Sequence, residues 1–211
     1  LINILPPTKN MLTFLFQKNI LWYIKEHNIK IPISIDTRSS VVAKKCIELG
    51  ANIINDVSGF DFDEKMADII SNYPDVKVII QHSQGSPENM QNSPHYDNLM
   101  DEIFVNLQTK VNFAISKGIK KENIILDPGI GFGKTQEHNF EILKRWKELK
   151  TLGCPILIGL SRKSLLGMPD ATNQEKDMYS LALDSILMKE KVDYIRVHNV
   201  KIHKTFQNII G

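Results

Sequence analysis

Six short runs of apolar, β-branched residues recur along the chain at near-regular spacing, and this recurrence limits the possible folds more than any other feature. The runs are Ile31 to Asp36, Asn52 to Asp56, Val76 to His82, Asn123 to Asp127, Pro155 to Leu160 and Tyr194 to His198. Each is predicted to be a strand buried on both faces. Stretches of helical period lie between them, such as Met66, Ile69, Ile70 and Tyr73, or Leu99, Ile103, Leu107, Val111 and Ala114. Gly50, Gly118 and Gly153 fall just past three of these helices, where a left-handed cap residue belongs. From Ile33 to Tyr194 the repeat averages about 32 residues, close to the roughly 30 of a βαβ unit. The chain is therefore α/β, with either a barrel or a doubly wound parallel sheet.

The polar residues favour the barrel. Asp36, Asn55, Asp127, Lys163, Arg196 and His198 fall at or just after the C-terminal ends of separate runs. A site built from so many strand ends suits the catalytic face of a barrel better than the single crevice of an open sheet. Six runs fall short of a barrel's eight. The first 30 residues offer at most one more strand, Leu1 to Leu5, and one amphipathic helix, Met11 to His27. We expect a single domain over residues 1–211, with residues 1–30 a divergent or truncated start.

Charge excludes other classes of partner. With 26 Lys+Arg interleaved among 24 Asp+Glu and a net charge of +2, neither a nucleic-acid footprint nor a basic membrane patch is expected. The longest apolar stretch, Met11 to Ile24, is broken by Gln17, Lys18 and Asn19 and is shorter than the roughly 20 residues of a membrane helix. Cys46 and Cys154 are far apart and have no partner at ligand spacing, so no disulfide framework or zinc site is indicated. A reducing cytoplasm is the expected setting.

The densest segment runs from Ile124 through Asp127-Pro-Gly-Ile-Gly-Phe132-Gly to Lys134 and Thr135. Its Gly-Lys-Thr ending suggests a phosphate-binding P-loop, but the first glycine that such a loop needs is Pro128. What remains is a strand ending in Asp127 and a loop whose backbone can approach a ligand closely. Ser161-Arg-Lys163-Ser164 sets cations and hydroxyls after the next strand, suited to a polar or anionic ligand, or alternatively to a solvated helix start capped by Ser161. In Arg196-Val-His198, alternation sends both side chains to one side, as a phosphate or pyrophosphate clamp would need. Asp36 and Asp127 could serve as acid and base, pair with the N–H groups of a heterocycle, or stabilise a developing cation. Gln81-His82-Ser-Gln-Gly85 offers a further loop with one histidine.

Taken together and in order, these segments resemble the dihydropteroate synthase family of pterin-binding (β/α)8 enzymes. The resemblance rests on Ser34-Ile-Asp36-Thr37, Ile54-Asn55-Asp56, His82-x-Gln-Gly85, Leu126-Asp127-Pro-Gly-x-Gly-Phe132-Gly-Lys134, Ser161-Arg-Lys163-Ser164 and Arg196-Val-His198. It runs from about Pro32 to the chain's end. It implies a TIM-type barrel that is N-terminally incomplete, with strands three to eight present. The implied reaction joins p-aminobenzoate to 6-hydroxymethyl-7,8-dihydropterin pyrophosphate, giving 7,8-dihydropteroate and pyrophosphate. In this resemblance Asp36, Asn55, Asp127 and Lys163 hold the pterin, Arg196 and His198 the pyrophosphate, and Phe132 and Ser164 border the p-aminobenzoate. Asp36, Lys163 and Arg196 carry the catalysis, and ionisation of the C–O bond precedes attack by the amine. The family also implies Mg²⁺ and a homodimer.

Departures from the family pattern accompany the match. The Asn that helps bind Mg²⁺ at the end of the family's first strand is not found, nor is the glycine-rich loop after its second. Gln81 and Ser83 stand where the family usually has Met, and Asn199 where Asp normally follows Arg-x-His. Two alternatives follow: a truncated, non-catalytic pterin-binding remnant, or part of a longer bifunctional folate-synthesis chain. A pterin-dependent methyltransferase fits less well, because methyl transfer has no pyrophosphate to hold. Without its first two strands the barrel is expected to expose the strand carrying Ile33 and Ile35 as a sheet edge, with low stability as the result.

Overall fold

The computed structural model describes residues 2–4, 11–85, 94–163 and 170–210. In chain order the elements are β1 (Ile2–Ile4), α1 (Met11–Glu26), β2 (Ile33–Asp36), α2 (Ser40–Glu48), β3 (Ile53–Asp56), α3 (Lys65–Ser71), β4 (Lys77–Gln81) and α4 (Leu99–Ser116). They continue with β5 (Ile124–Asp127), α5 (Gln136–Arg145), β6 (Leu157–Ile158), α6 (Asn173–Lys189), β7 (Tyr194–Ile195) and α7 (Val200–Ile210). Strand and helix alternate as the periodicity predicts. Gly50, Gly118 and Gly153 all have positive φ, at 104°, 93° and 73°.

The residues fall into two compact units, Leu1–His82 with Val105–Leu126, and Ser83–Phe104 with Asp127–Gly211. The first unit holds a sheet ordered β1-β2-β3-β4-β5. Its pairings run parallel, with Ile2 opposite Ile33, Asp36 opposite Asn55 and Asn55 opposite Ile79. This corrects the edge expectation. Residues within the candidate run Leu1 to Leu5 form a strand alongside Ile33 and Ile35, so β2 is interior to the sheet. The apolar runs read as continuous because both sheet faces are covered: Ile35, Ile54, Val78 and Ile80 are buried on one face, and Ile53 and Ile79 on the other. Helices α2 and α3 add Ala43, Cys46, Met66 and Ile70 to this core.

The two polar residues that end β3 turn to opposite faces. Asn55 Nδ2 donates to Asp36 Oδ1 at 2.8 Å. Asp56 instead organises its own turn: its Oδ1 accepts from Ser58 N–H at 2.9 Å and Ser58 O–H at 2.6 Å, and its Oδ2 from Phe60 N–H at 2.9 Å. Lys110 fastens the same turn from α4, donating to the Ser58 carbonyl at 2.9 Å and to Asp61 at 2.8 Å.

In the second unit β6 pairs in parallel with β7, Leu157 opposite Tyr194. Both strands are shorter than expected. The ladder runs only as far as Arg196 N–H to the Ile158 carbonyl at 3.0 Å, because the residues beyond turn away to build the site. Ile142, Trp146, Leu149, Ile156 and Leu160 form the core. Helix α6 starts at a capping box between Thr172 and Glu175. It is tied to α7 by buried His203, whose Nε2 meets Asp184 Oδ2 at 2.9 Å.

Substituting Asp56→Ala strips three hydrogen bonds from the buried β3 turn. We expect a loss of roughly 2–4 kcal/mol, measured as a lower urea midpoint with unchanged slope. A loss below about 0.5 kcal/mol would show that the turn is held by Lys110 alone.

Candidate active site

In the second unit the site is built around Asp127, at the end of β5. Its carboxylate is buried, 1% exposed. Oδ1 accepts from Gly129 N–H at 2.8 Å, and Oδ2 from Arg196 Nη2 at 3.0 Å. Arg196 comes from the end of β7 and lies flat against β6. A Cβ at Gly159 would sit 3.1 Å from its Nε and 3.2 Å from its Nη2, so the glycine is what lets the guanidinium reach the carboxylate. Arg196 Nη1 is buried and has no hydrogen-bond partner among the described residues.

Two lysines crowd the same carboxylate. Lys163 Nζ donates to the Ile130 carbonyl and stands 5.0 Å from the Phe132 ring centre. Burial pulls its pKa down to about 8, with Asp127 opposing and Arg196 adding to the shift. Lys134, 4% exposed, donates to the Phe132 carbonyl at 2.9 Å. Its pKa falls to about 7, mainly from burial, with Asp127 opposing and Lys163 reinforcing. Three cations thus share one carboxylate, an arrangement that suits an anion.

The loop of residues 128–135 is held from behind. Buried Asn139 on α5 accepts from Gly131 N–H at 2.8 Å and donates to the Thr135 carbonyl at 2.7 Å. Thr135 caps α5, so the Gly-Lys-Thr sequence is a loop end and a helix cap. Tyr96 O–H donates to the Gly133 carbonyl at 2.9 Å. A Cβ at Gly133 would fall 2.5 Å from the Gln84 carbonyl oxygen.

The cluster after β6 divides. Arg162, at φ 59°, turns away and forms a bidentate pair with Asp177 at 2.7 and 2.9 Å. Asn199 joins that carboxylate at 3.1 Å. The turn leaves Ser161 and Lys163 on the other side. Ser161 Oγ accepts from His198 N–H at 3.2 Å and meets His198 Nδ1 at 2.9 Å. Burial, then the positive charge of Arg162 and of Arg196, lowers the His198 pKa, and its neutral ring can offer an N–H to an anion. Arg196 and His198 take different partners, Asp127 for the first and Ser161 for the second, and the Arg196 charge acts on the His198 ring.

The first unit presents Asp36 and Asn55 as the hydrogen-bonded pair described above. Ser164 lies outside the described residues. Lys134 and Asn139 were missed in the sequence: the lysine was set aside with the rejected P-loop, and the asparagine reads as an ordinary polar helix residue. Among the described residues no three His, Cys, Asp or Glu side chains gather where they could hold a metal ion. No helix among the described residues is long and apolar enough to cross a membrane.

Alternating βα units with polar residues at their strand ends mark an α/β protein of the TIM-barrel type, whose second unit sets Asp127, Arg196 and two lysines beside a glycine-rich loop. The chain belongs to the pterin binding enzyme family, whose model matches residues 17–198. It is 42% identical over 183 residues to dihydropteroate synthase of Clostridium beijerinckii, covering 86% of this chain and 65% of that protein. With the Synechocystis enzyme it shares 37% over 177 residues, 82% of this chain and 60% of that one. The chain thus spans 60–65% of the length of the curated relatives named here. Among solved structures, dihydropteroate synthase of Yersinia pestis in complex with a sulfonamide drug superposes with a TM-score of 0.91 at 29% identity, covering 99% of this chain and 77% of that one. The Thermus thermophilus enzyme in complex with 4-aminobenzoate gives 0.87 at 29%, covering 98% and 80%.

The lysines set a pH dependence. Sulfate, whose own charge is constant near neutrality, should bind more weakly as pH rises through about 7 and about 8, where Lys134 and Lys163 lose their protons. A fall of roughly tenfold is expected by calorimetry. The unfolded chain keeps both lysines charged, so the unliganded protein gains stability over the same range and unfolding cannot cause the loss. Constant affinity across that range would remove the two lysines from the anion site.

Proposed function

We propose that the chain carries the chemistry of dihydropteroate synthase: p-aminobenzoate displaces the diphosphate of 6-hydroxymethyl-7,8-dihydropterin pyrophosphate, forming 7,8-dihydropteroate. The observation that carries this reading is the ion pair of buried Asp127 with half-buried Arg196, with an unpartnered Arg196 nitrogen and two pKa-lowered lysines beside it. The spare guanidinium nitrogen and the His198 N–H suit a leaving diphosphate. Asp127 has lone pairs left on both oxygens to accept from the pterin's N–H groups, and Lys163 can donate to its carbonyl or ring nitrogen. The resemblance assigns the Asp36–Asn55 pair to the pterin as well, and Phe132 and Ser164 to the p-aminobenzoate.

In the proposed sequence the C–O bond to diphosphate breaks first. Its electron pair leaves with the diphosphate, where Arg196 and His198 balance the charge. In the resemblance the resulting pterin cation is favoured by carboxylates such as Asp36. The arylamine nitrogen then forms the C–N bond and loses its proton. We propose a cytoplasmic setting and, as the family implies, a homodimer.

Turnover tests the reading directly. Pyrophosphate should be released from the pterin ester only when p-aminobenzoate is present, with dihydropteroate formed in equal amount. Binding of the ester without release would favour the non-catalytic pterin-binding alternative.

The site assignments are tested by two variants. Arg196→Ala should weaken the pterin pyrophosphate roughly tenfold more than the bare hydroxymethyl-dihydropterin, and equal losses would end the clamp assignment. Asp127→Asn should weaken both ligands about alike, by roughly tenfold. Unchanged pterin affinity would put Asp127 outside the pocket.

A further inference from the structure

The sheet of the first unit carries polar side chains whose hydrogen-bonding capacity its own fold leaves unused. Ser34 and Asp36 share a face of β2, Asp36 stands opposite Asn55, Asn55 opposite Ile79, and Gln81 follows Ile79 by two residues. All four polar residues therefore lie on one face. Asn55 spends its Nδ2 on Asp36. Its Oδ1, the Ser34 hydroxyl and both ends of the Gln81 amide are buried without a hydrogen-bond partner among the described residues. Gln81 is 0% exposed.

Such groups are rare in native folds because burying an unmatched donor or acceptor forfeits its hydration. A packing role does not account for Gln81, since Met or Leu would fill much the same volume without that cost. An amide offers a donor and an acceptor side by side. That is the complement of a heterocycle edge on which N–H groups alternate with carbonyl or ring-nitrogen acceptors. Gln81 sits one same-face layer beyond the Asp36–Asn55 pair toward the C-terminal ends of the strands. Diagonal neighbours of this kind lie roughly 7–8 Å apart, so both side chains can meet one flat ring.

We infer that Gln81 is a specificity-determining residue, its amide hydrogen-bonding the ring edge of the reduced pterin beside a contact made by Asn55 Oδ1. The inference rests on the pterin reading above and deepens it. Asp36 supplies charge on this face, while Gln81 supplies discrimination. A ring without matching polar atoms would leave the amide unpaired and be rejected on that account.

The test is Gln81→Met in the full 211-residue chain, because Met keeps the shape and removes both polar ends. The unliganded melting midpoint should stay level or rise. The dissociation constant for 6-hydroxymethyl-7,8-dihydropterin should rise about tenfold, and that for its pyrophosphate by the same factor, since the diphosphate contacts are untouched. A purely structural amide would not move stability and affinity in opposite directions. Unchanged affinity for both ligands overturns the inference and leaves the pterin reading standing. Failure of the parent chain to bind either ligand overturns both. Loss of the folded state in both Gln81→Met and Gln81→Leu would show that the amide supports the fold, and the inference would fall.

Discussion

Removing a guanidinium and a carboxylate from water costs several kcal/mol per ion, and their mutual attraction offsets this only when geometry and further hydrogen bonds are good. Asp127 and Arg196 meet part of that condition. The carboxylate has the Gly129 N–H as a second donor, and the guanidinium is seated over Gly159. The condition is left incomplete on the cationic side, where Arg196 Nη1 has no partner among the described residues and two lysines share the same carboxylate. Much of the local backbone serves this arrangement. Gly131 and Gly133 bend the loop, Asn139 braces it, and the left-handed Arg162 turns Lys163 toward the site while its own side chain is taken up by Asp177.

The excess charge also explains why the lysines and His198 are displaced in the same direction. Burial disfavours the charged form of each, and neighbouring cations add to it, so all three have lowered pKa values. A polyanion would reverse both effects at once by supplying counter-charge where water is excluded. The cluster is therefore better matched to a bound anion than to its unliganded state.

The alternation of strands and helices was legible because parallel strands covered on both faces read as apolar runs, and the polar residue closing each run marks a strand end. Strand length was not. Gly159 and Leu160 read as the end of an apolar run, yet they leave the ladder ahead of the turn at Arg162, whose side chain pairs with Asp177. The Asp127–Arg196 contact spans 69 positions and has no local signature. Strand alternation sets Arg196 and His198 on one side but carries no sign of the Ser161 hydroxyl, 37 positions away, that meets His198. Asn55 and Asp56 look equivalent in sequence, but the pleat sends one to Asp36 and the other into its own turn.

Considered separately, the two units leave different capacities unmet. The first leaves neutral ones, an amide, a carbonyl oxygen and a hydroxyl, on the face that also carries Asp36. Neutral groups cannot hold a diphosphate, but they can register the donors and acceptors of a ring. The second leaves positive charge, which favours any anion of suitable size and carries little information about ring structure.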